Sequence, residues 1–386
     1  MSDDFKRKLE AYEKGELNEA ELETLEKELD KLEEYQEFLQ ENDPQEQVNA
    51  STLSINKKQN KMLRHGKWKA RFQTALVAIG IFIVFTIFST IFTGIYYSWG
   101  SPDRVDVFRN IIDNTLTVTN PYGNRGGTST SSTSYFGLQA TRNLNKVVGH
   151  DQIEVGELKM NFLFSWMTIP EEQNYGRVNH EQPMFALPGS GVTGEGDWNQ
   201  LENLPEGTVV SAYVSFSTLL ETQEVFDFFD GRNMDLLWFP VTTGIENEYP
   251  FDGIILDPIG FPSSPIWLDD DFIVTERTEE NSGWFGGKIV SETAESPEYE
   301  EGDYQVLHNQ FMKTLTFLEQ HENKVNNIVW GRLNLSEIID YLNENGFQHY
   351  GAVITGPTKE ILQLQEEDTI ALLEIDEVGF WNWEEL

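Results

Sequence analysis

The glycines at positions 189, 191 and 194 have the spacing of the G-x-G-x-x-G motif, in which amides at the start of a helix hold a pyrophosphate. That motif works only between a strand and a helix, and the residues that follow, Glu195 to Trp198, do not resemble a helix start. Gly356-Pro-Thr-Lys359 contains a lysine but lacks the rest of a phosphate-binding loop. The sequence therefore predicts no nucleotide site.

Metal ligands and catalytic nucleophiles also lack a recognised spacing. The six histidines form no H-E-x-x-H pair, the chain contains no cysteine, and there is no G-x-S-x-G elbow. Two acidic clusters, Asp269–Asp271 and Glu298–Asp303, offer oxygens to a hard cation such as calcium, but neither has EF-hand spacing and we expect solvated loops. The sequence predicts no enzyme, no cofactor and no metal site.

The N-terminal residues instead form an apolar stripe at helical spacing, which suits contact with another protein. Helices are predicted over residues 4–14, ended by Gly15, and from a capping box at Asn18 and Glu21 to about Glu41. Apolar side chains recur along these helices at three- and four-residue steps. The residues expected to contact a partner are Phe5, Leu9, Tyr12, Leu17, Leu22, Leu25, Leu29, Leu32 and Tyr35.

A helix pair of this size buries little apolar surface alone, so the stripe needs a partner. Two interpretations fit the residues. The stripe is either the seam of a coiled-coil dimer or a docking surface that closes on a different protein.

Residues 75–99 form an apolar run without a charged residue. About 20 helical residues cross a bilayer core of about 30 Å, so this run can span a membrane once. Seven basic residues precede it at positions 57–71, whereas the first base after it is Arg104. The positive-inside rule predicts a cytoplasmic N-terminus and an extracellular C-terminus in the cell membrane, and the run lies too far along the chain for a signal peptide.

The span divides the chain into an expected cytoplasmic helical domain (1–43), a polar and then basic linker (44–74), a transmembrane helix (75–99) and an extracytoplasmic sensor domain (100–386), here called the C-terminal domain. The C-terminal domain carries 14 Lys and Arg against 48 Asp and Glu. This balance argues against binding to nucleic acid, anionic lipid headgroups or anionic wall polymers. The domain is large enough to bury a core without disulfides.

We predict an α+β fold class, with a small all-α helix pair, one transmembrane helix and a mixed α+β C-terminal domain built from two βαβ-like halves. The halves are strand 208–216, Ser217 as N-cap, helix 218–230 and strand 235–242, then strand 328–335, Ser336 as N-cap, helix 337–345 and strand 349–355. The other expected elements are a helix at 103–114, a strand at 115–120, a mobile loop at 123–135, strands within 152–169, an irregular insertion at 244–302, helices at 303–323 and 357–365, and a strand at 369–376.

The segment from Phe5 to Gln36, with Leu9, Tyr12, Gly15 and Leu22 at its steps, resembles the N-terminal domain of membrane-anchored anti-sigma factors of the sigma-M type. The order of helices, basic linker, single span and large domain matches that family over the whole chain. Val-Ile-Thr-Gly-Pro-Thr-Lys-Glu at 353–360 resembles its C-terminal sigma factor regulator domain. The zinc-binding His-x3-Cys-x2-Cys of another anti-sigma class is absent, because the chain has no cysteine.

This resemblance implies that the cytoplasmic helices sequester an extracytoplasmic-function sigma factor and that the C-terminal domain biases its release under envelope stress. It implies as partners the sigma factor, the lipid bilayer and a second small membrane protein, with no direct contact to nucleic acid. The small residues Thr86, Thr90 and Gly94 share a face of the span that either packs a second helix or faces lipid. The alternative function is a cell-surface structural or binding protein whose cytoplasmic helices only dimerise.

Overall fold

The computed structural model describes residues 11–12, 19–41, 50–122, 126–175, 184–192, 196–246, 253–282, 287–329 and 331–383. The chain divides into two compact units, residues 1–84 and 85–386. The boundary between them falls inside one long helix.

The first unit contains helix α1 (Glu19–Glu41) and most of helix α2 (Ala50–Tyr97). Helix α1 confirms the second predicted helix. The predicted first helix falls outside the described residues, except for Ala11 and Tyr12, which are helical. Helix α2 begins at Ala50, inside the segment 44–74 expected as a polar and then basic linker, because residues 50–63 contain no proline or glycine and continue the same helix without a break.

Among the described residues, only α2 contains a stretch, Arg64–Tyr97, that is long and apolar enough to cross a membrane. Almost all of its apolar side chains are exposed, as expected for a helix that meets lipid. The predicted transmembrane segment 75–99 lies in this helix up to Tyr97.

The second unit begins with the C-terminal end of α2. Its further helices are α3 (Arg104–Thr119), α4 (Trp198–Glu202), α5 (Thr222–Phe229), α6 (Tyr304–Glu319), α7 (Glu322–Ile328), α8 (Leu335–Asn345) and α9 (Thr358–Leu362), the last continued by a 3-10 turn at Gln363–Glu366. Its strands are β1 (Thr128–Thr133), β2 (Gly137–Val148), β3 (Asp151–Leu163), β4 (Trp166–Met167), β5 (Glu171–Asn174), β6 (Phe185–Ala186), β7 (Thr208–Glu221), β8 (Asp235–Pro240), β9 (Ile254–Ile255), β10 (Gly260–Pro262), β11 (Ile273–Ser282), β12 (Gly287–Glu295), β13 (Gln348–Pro357) and β14 (Ile370–Phe380).

Two antiparallel sheets form the framework of this unit. Sheet A has the order β1-β2-β3-β4, with β5 also paired to β3, and sheet B has the order β10-β8-β13-β7-β14. The pairs β6–β9 and β11–β12 are separate two-stranded ribbons. Strands β7 and β13 are largely buried, since Thr208 to Phe216 and His349 to Pro357 carry no exposed side chain and each strand is paired on both sides.

Helix α3 packs into the main core through Phe108, Ile111 and Ile112. The same core contains the buried faces of α6, α7 and α8 and one face of sheet B. Asp103 is the N-cap of helix α3, and its side chain accepts a 2.9 Å hydrogen bond from the N–H of Asp106. The C-terminal domain is therefore a mixed α+β fold, as predicted.

The first predicted βαβ half is present in altered form. Strands β7 and β8 run parallel, but β13 lies between them and is antiparallel to both. The predicted cap at Ser217 is wrong because β7 continues to Glu221, which forms a capping box with Glu224 at the start of α5.

The second predicted half does not form. Ile328, the first residue of the predicted strand 328–335, belongs to α7, and 331–334 contain no strand. Helix α8 starts at Leu335 with Asn334 in the N-cap position, so Ser336 lies inside the helix. Gly346 ends α8 with a φ of 74°, which confirms the predicted stop.

The Thr- and Ser-rich region differs from prediction twice. Residues 115–119 continue α3 because Leu116 and Val118 join the core, and the hydroxyls of Thr115 and Thr117 donate to carbonyls four residues back, at 2.6 and 2.8 Å. Residues 128–133, predicted as a mobile loop, form strand β1 along the edge of β2. The insertion predicted as irregular contains the β11–β12 hairpin and β9 and β10.

Candidate partner-binding surface

The predicted partner-binding residues on α1 fall into two groups. Leu25 is 1% exposed, and Leu29 is half-buried, so both already pack within the chain. Leu32 is 39% exposed and Tyr35 is 61% exposed, so both present apolar surface to solvent. Tyr12 is helical and half-buried. Leu22 lies in α1, its side chain is not described, and Phe5, Leu9 and Leu17 lie outside the described residues.

Leu32 and Tyr35 lie one helical turn apart on the same face of α1. An aliphatic and an aromatic side chain at this spacing are suitable anchors for a groove or helix on a partner. The opposite face is charged. There Lys27 Nζ donates to Glu23 Oε1 at 2.9 Å, and this hydrogen bond lowers the pKa of the fully exposed Glu23.

The glycine motif is a loop without a phosphate cradle in its described part. Gly189 and Gly191 both have a φ of 75°, and no atom approaches the position a side chain would take. The next helix, α4, starts only at Trp198 and has five residues. The described part of the motif therefore does not open a helix, which is the feature that aims amides at a pyrophosphate.

The first acidic cluster has structural partners. Lys313 Nζ lies 2.7 Å from oxygens of both Asp270 and Asp271, and Asn110 Nδ2 donates to Asp269 at 2.6 Å. Burial opposes ionisation of Asp271, but hydrogen bonds from Lys313 and from the N–H of Leu268 outweigh it and lower its pKa. Among the described residues, no group of three or more His, Cys, Asp or Glu side chains could hold a metal ion.

Two histidines form a buried neutral network around Thr222. His349 Nδ1 lies 2.9 Å from the carbonyl of Pro240, so this nitrogen donates and His349 Nε2 accepts the Thr222 hydroxyl at 2.7 Å. The Thr222 oxygen then accepts from His308 Nε2 at 2.6 Å. Burial lowers the pKa of His308 to about 4 and that of His349 to about 3. Both rings are neutral at pH 7 and link α5, α6 and β13.

A buried ion pair joins the two sheets. Lys146 on β2 and Asp376 on β14 are both buried, with Nζ 2.5 Å from Oδ1. Asp376 also accepts hydrogen bonds from Tyr122 at 2.9 Å and Tyr213 at 3.1 Å. Burial, followed by the charge of Asp376, raises the pKa of both tyrosines well above 10.

The C-terminal end of α2 binds the tips of sheet A through six side chains, which we call the hydroxyl ladder. We define the tips as residues 134–136, between β1 and β2, and 164–165, between β3 and β4. The ladder residues, which share one helix face, are Thr86, Ser89, Thr90, Thr93, Tyr96 and Tyr97.

Backbone groups of the tips are satisfied by the ladder. The N–H of Tyr135 donates to Ser89 Oγ at 2.9 Å, and the N–H of Phe136 donates to Thr93 Oγ1 at 2.8 Å. The hydroxyl of Tyr97 lies 2.8 Å from the carbonyl oxygen of Phe136 and 3.2 Å from that of Phe164. Side-chain hydroxyls complete the contact.

These side-chain pairs are Thr86–Tyr135 at 2.6 Å, Thr90–Ser134 at 3.0 Å and Tyr96–Ser165 at 2.9 Å. Thr86 and Thr90 were predicted to face a second helix or lipid, and in the structure they face a hairpin of their own chain. Gly94 has no atom within 4 Å of the position of an added side chain. The spacing of hydroxyl residues in an otherwise apolar helix was the signal that sequence reasoning missed.

Two regions match sequence families. Residues 60–153 match the family described as sigma factor regulator N-terminal, and residues 201–377 match sigma factor regulator C-terminal. A curated relative, a "Probable anti-sigma-M factor YhdL" of Bacillus subtilis (strain 168), is 27% identical over 391 residues, covering 99% of this chain and all of the relative. No solved structure matches the chain.

The N-terminal family match begins at residue 60, after the segment 5–36 that carried the resemblance in the sequence. That segment is included only in the full-length alignment with the curated relative. The comparisons support the regulatory interpretation and do not favour the surface-scaffold alternative.

Proposed function

Because the chain belongs to the sigma factor regulator family, a family that is regulatory rather than catalytic, we propose that it is a single-pass membrane anti-sigma factor. In this proposal the N-terminal helices bind an extracytoplasmic-function sigma factor in the cytoplasm and cover its polymerase-binding surface. The C-terminal domain outside the cell responds to envelope stress. The observation that carries the proposal is the full-length alignment with a relative whose name states anti-sigma activity.

The exposed part of α1 supports this assignment. Leu32 and Tyr35 expose apolar surface on α1. Side chains of this kind serve as central anchors in protein interfaces. Leu25 is buried within the chain, so in this proposal it does not contact the partner directly.

A membrane-bound regulator must hold its partner against competition from RNA polymerase. The charge-free segment of α2, bounded by Arg71 and Asp103 in the sequence, supports a bilayer anchor. The seven bases before it support a cytoplasmic N-terminus. A partner held at the membrane is kept away from promoters as well as from polymerase.

The test uses the full chain in lipid nanodiscs and the purified extracytoplasmic-function sigma factors of the source organism, assayed one at a time. We expect one of them to bind with nanomolar affinity and to be released by excess core RNA polymerase, because both use the same surface of the sigma factor. Deletion of the gene should raise transcription from that sigma factor's promoters. If no sigma factor binds and no such promoter responds to deletion, the proposal is wrong.

A further inference from the structure

The tips of sheet A are tied to a part of α2 that lies at membrane depth. The last charged residue before the apolar part of α2 is Arg71. At its other end, Arg104 donates to the carbonyls of Tyr96 and Trp99 at 2.8 and 3.2 Å, which places the first basic residue after the span beside Tyr96. The hydrocarbon core must fall between Arg71 and Tyr96, because charged groups are costly inside it.

A core of about 30 Å takes about 20 helical residues. Any such stretch between residues 72 and 96 includes Thr86, Ser89 and Thr90. The tip residues Ser134 and Tyr135, which bond to these hydroxyls, therefore lie beside the hydrocarbon part of the helix. Tyr135 also stacks on Phe85, with ring centroids 5.9 Å apart.

The composition of the tips suits this depth. No charged residue occurs at positions 126–141 or 160–170, although the C-terminal domain as a whole is strongly acidic. The tip region exposes large apolar side chains, including Leu163, Trp166 at 68% and Ile169 at 69%. Water exposure of so many apolar groups in one region is unfavourable, whereas contact with acyl chains is favourable.

Backbone conformation points in the same direction. Tyr135, Phe136 and Phe164 have φ values of 64°, 61° and 55°, a left-handed conformation that usually requires glycine, asparagine or aspartate. Aromatic residues at these positions cost on the order of 1 kcal/mol each. A turn that only had to reverse the chain would use smaller residues, so the aromatic side chains have a further role.

The backbone N–H and C=O groups of the tips are largely hydrogen-bonded, which would allow the tips to lie in hydrocarbon. Irregular backbone is excluded from hydrocarbon because unpaired N–H and C=O groups cost several kcal/mol each. Here the amides of Tyr135 and Phe136 and the carbonyls of Phe136 and Phe164 all bond to the hydroxyl ladder. The amide of Phe164 bonds to the carbonyl of Phe136 at 3.0 Å.

We infer that the two tips of sheet A are inserted among the acyl chains of the leaflet that faces the C-terminal domain, where they pack beside the membrane helix. The ligand is the lipid hydrocarbon itself, and headgroup charge plays no part in this contact because the tips carry no charge. This inference requires the membrane helix but does not depend on sigma factor binding. The C-terminal domain thereby contacts the packing of one leaflet directly.

The chain has no cysteine, so single cysteines introduced at exposed positions directly beside the tips report on this contact. Suitable variants are Thr133→Cys, Leu163→Cys and Trp166→Cys, each labelled with the environment-sensitive fluorophore NBD in the full chain in phosphatidylcholine nanodiscs. The matched control is Gln152→Cys, an exposed position at the opposite end of sheet A. Circular dichroism identical to that of the parent chain shows that each variant is folded.

We expect lipids with a nitroxide on the acyl chain to quench NBD at 133, 163 and 166 several times more strongly than at 152. The unlabelled cysteines give a second measurement. In nanodiscs, a membrane-impermeant maleimide should react much more slowly with the cysteines at 133, 163 and 166 than with the cysteine at 152. Quenching and maleimide reaction equal to those at position 152 would overturn the inference, whatever the result of the sigma factor assay.

Discussion

The ammonium group of Lys146 lies 2.5 Å from a carboxylate oxygen of Asp376, and both side chains are buried between the two large sheets. The pair connects β2 of sheet A to β14 of sheet B. Tyr122 and Tyr213 donate hydrogen bonds to the same carboxylate, so both oxygens of Asp376 accept from a buried donor. The ion pair therefore links sheet A, which contacts the membrane helix, to sheet B.

Asp376→Ala should destabilise the second unit by about 3–5 kcal/mol, because it leaves the ammonium of Lys146 buried without a partner. The double variant Lys146→Met/Asp376→Leu should recover much of this loss, since it replaces the pair by apolar side chains of similar size. Urea unfolding of the full chain in detergent measures both. A single variant as stable as the parent chain would show that Lys146 reaches solvent when its partner is removed.

Leu32→Glu and Tyr35→Glu should each weaken sigma factor binding roughly 10- to 100-fold, because each places a charge within an apolar contact. Lys27→Gln is the control. It makes the same change in net charge on the opposite face of α1 and should leave affinity within about twofold. Affinity measured by biolayer interferometry on the full chain in nanodiscs distinguishes them. Equal binding by all three variants would place the sigma factor contact elsewhere.

Leu25 requires a separate expectation. Because Leu25 is 1% exposed, Leu25→Asp removes a packed side chain and buries a charge, so the helical segment itself should lose structure. Its loss of binding would accompany a loss of helical circular dichroism, unlike that of Leu32→Glu. A fully helical Leu25→Asp chain would contradict the packing described for α1.

Acidification should destabilise the second unit. The folded pKa values of His308 and His349, about 4 and about 3, lie below the ordinary value of 6.5. Between the folded and the ordinary pKa values, the unfolded chain binds more protons than the folded chain. The stability that the two neutral rings contribute above pH 6.5 is therefore lost as the pH falls toward 4. Between pH 6.5 and pH 5, His349 alone accounts for about 2 kcal/mol, or roughly 4–8 °C in melting temperature.

The measurement is the melting temperature of the full chain at pH 7 and pH 5. Most carboxylates titrate below pH 5, so they contribute little in this window. His150→Gln, at an exposed position, should keep the pH dependence, whereas His349→Gln should flatten it. Equal melting temperatures at the two pH values would show that the two rings accept protons without leaving the core.

The double variant Ser89→Ala/Thr93→Val should loosen the tips of sheet A, because it leaves the amides of Tyr135 and Phe136 without acceptors. Each unpaired amide costs about 1–3 kcal/mol, so hydrogen exchange of a peptide covering 133–138 should accelerate roughly tenfold or more. Thr74→Val is the control, since the Thr74 hydroxyl donates to Ala70 in its own helix. Unchanged exchange in the double variant would mean that the ladder is not required to hold the tips.

The comparison between sequence and structure separates local from long-range determinants. The membrane helix and α1 were predictable, because apolar periodicity and charge in a short window determine them. Strand β1 was not, because its Thr130 accepts from Arg109 on α3, and neighbouring Gly126 accepts from Arg142 on β2. Such contacts arise only after the chain has folded.

The candidate surface was predicted in part for the same reason. Helical spacing identified Leu25, Leu29, Leu32 and Tyr35 as one stripe, but spacing does not tell which members the chain covers itself. The burial of Leu25 and the exposure of Tyr35 depend on tertiary packing, which helical spacing alone does not determine. The ladder was not predicted because its partners are 39 to 69 residues away along the chain.

The hydroxyl ladder has a mechanical consequence. Its contacts run from Thr86 to Tyr97, a distance of about 16 Å along the helix axis. Because the contacts at the two ends of the ladder are so far apart, sheet A cannot easily tilt, twist or slide relative to the helix. Sheet A and this end of the helix are therefore expected to move together. A force that tilts sheet A therefore acts on the helix directly through the ladder. It does not have to be transmitted by the short connection at residues 98–103.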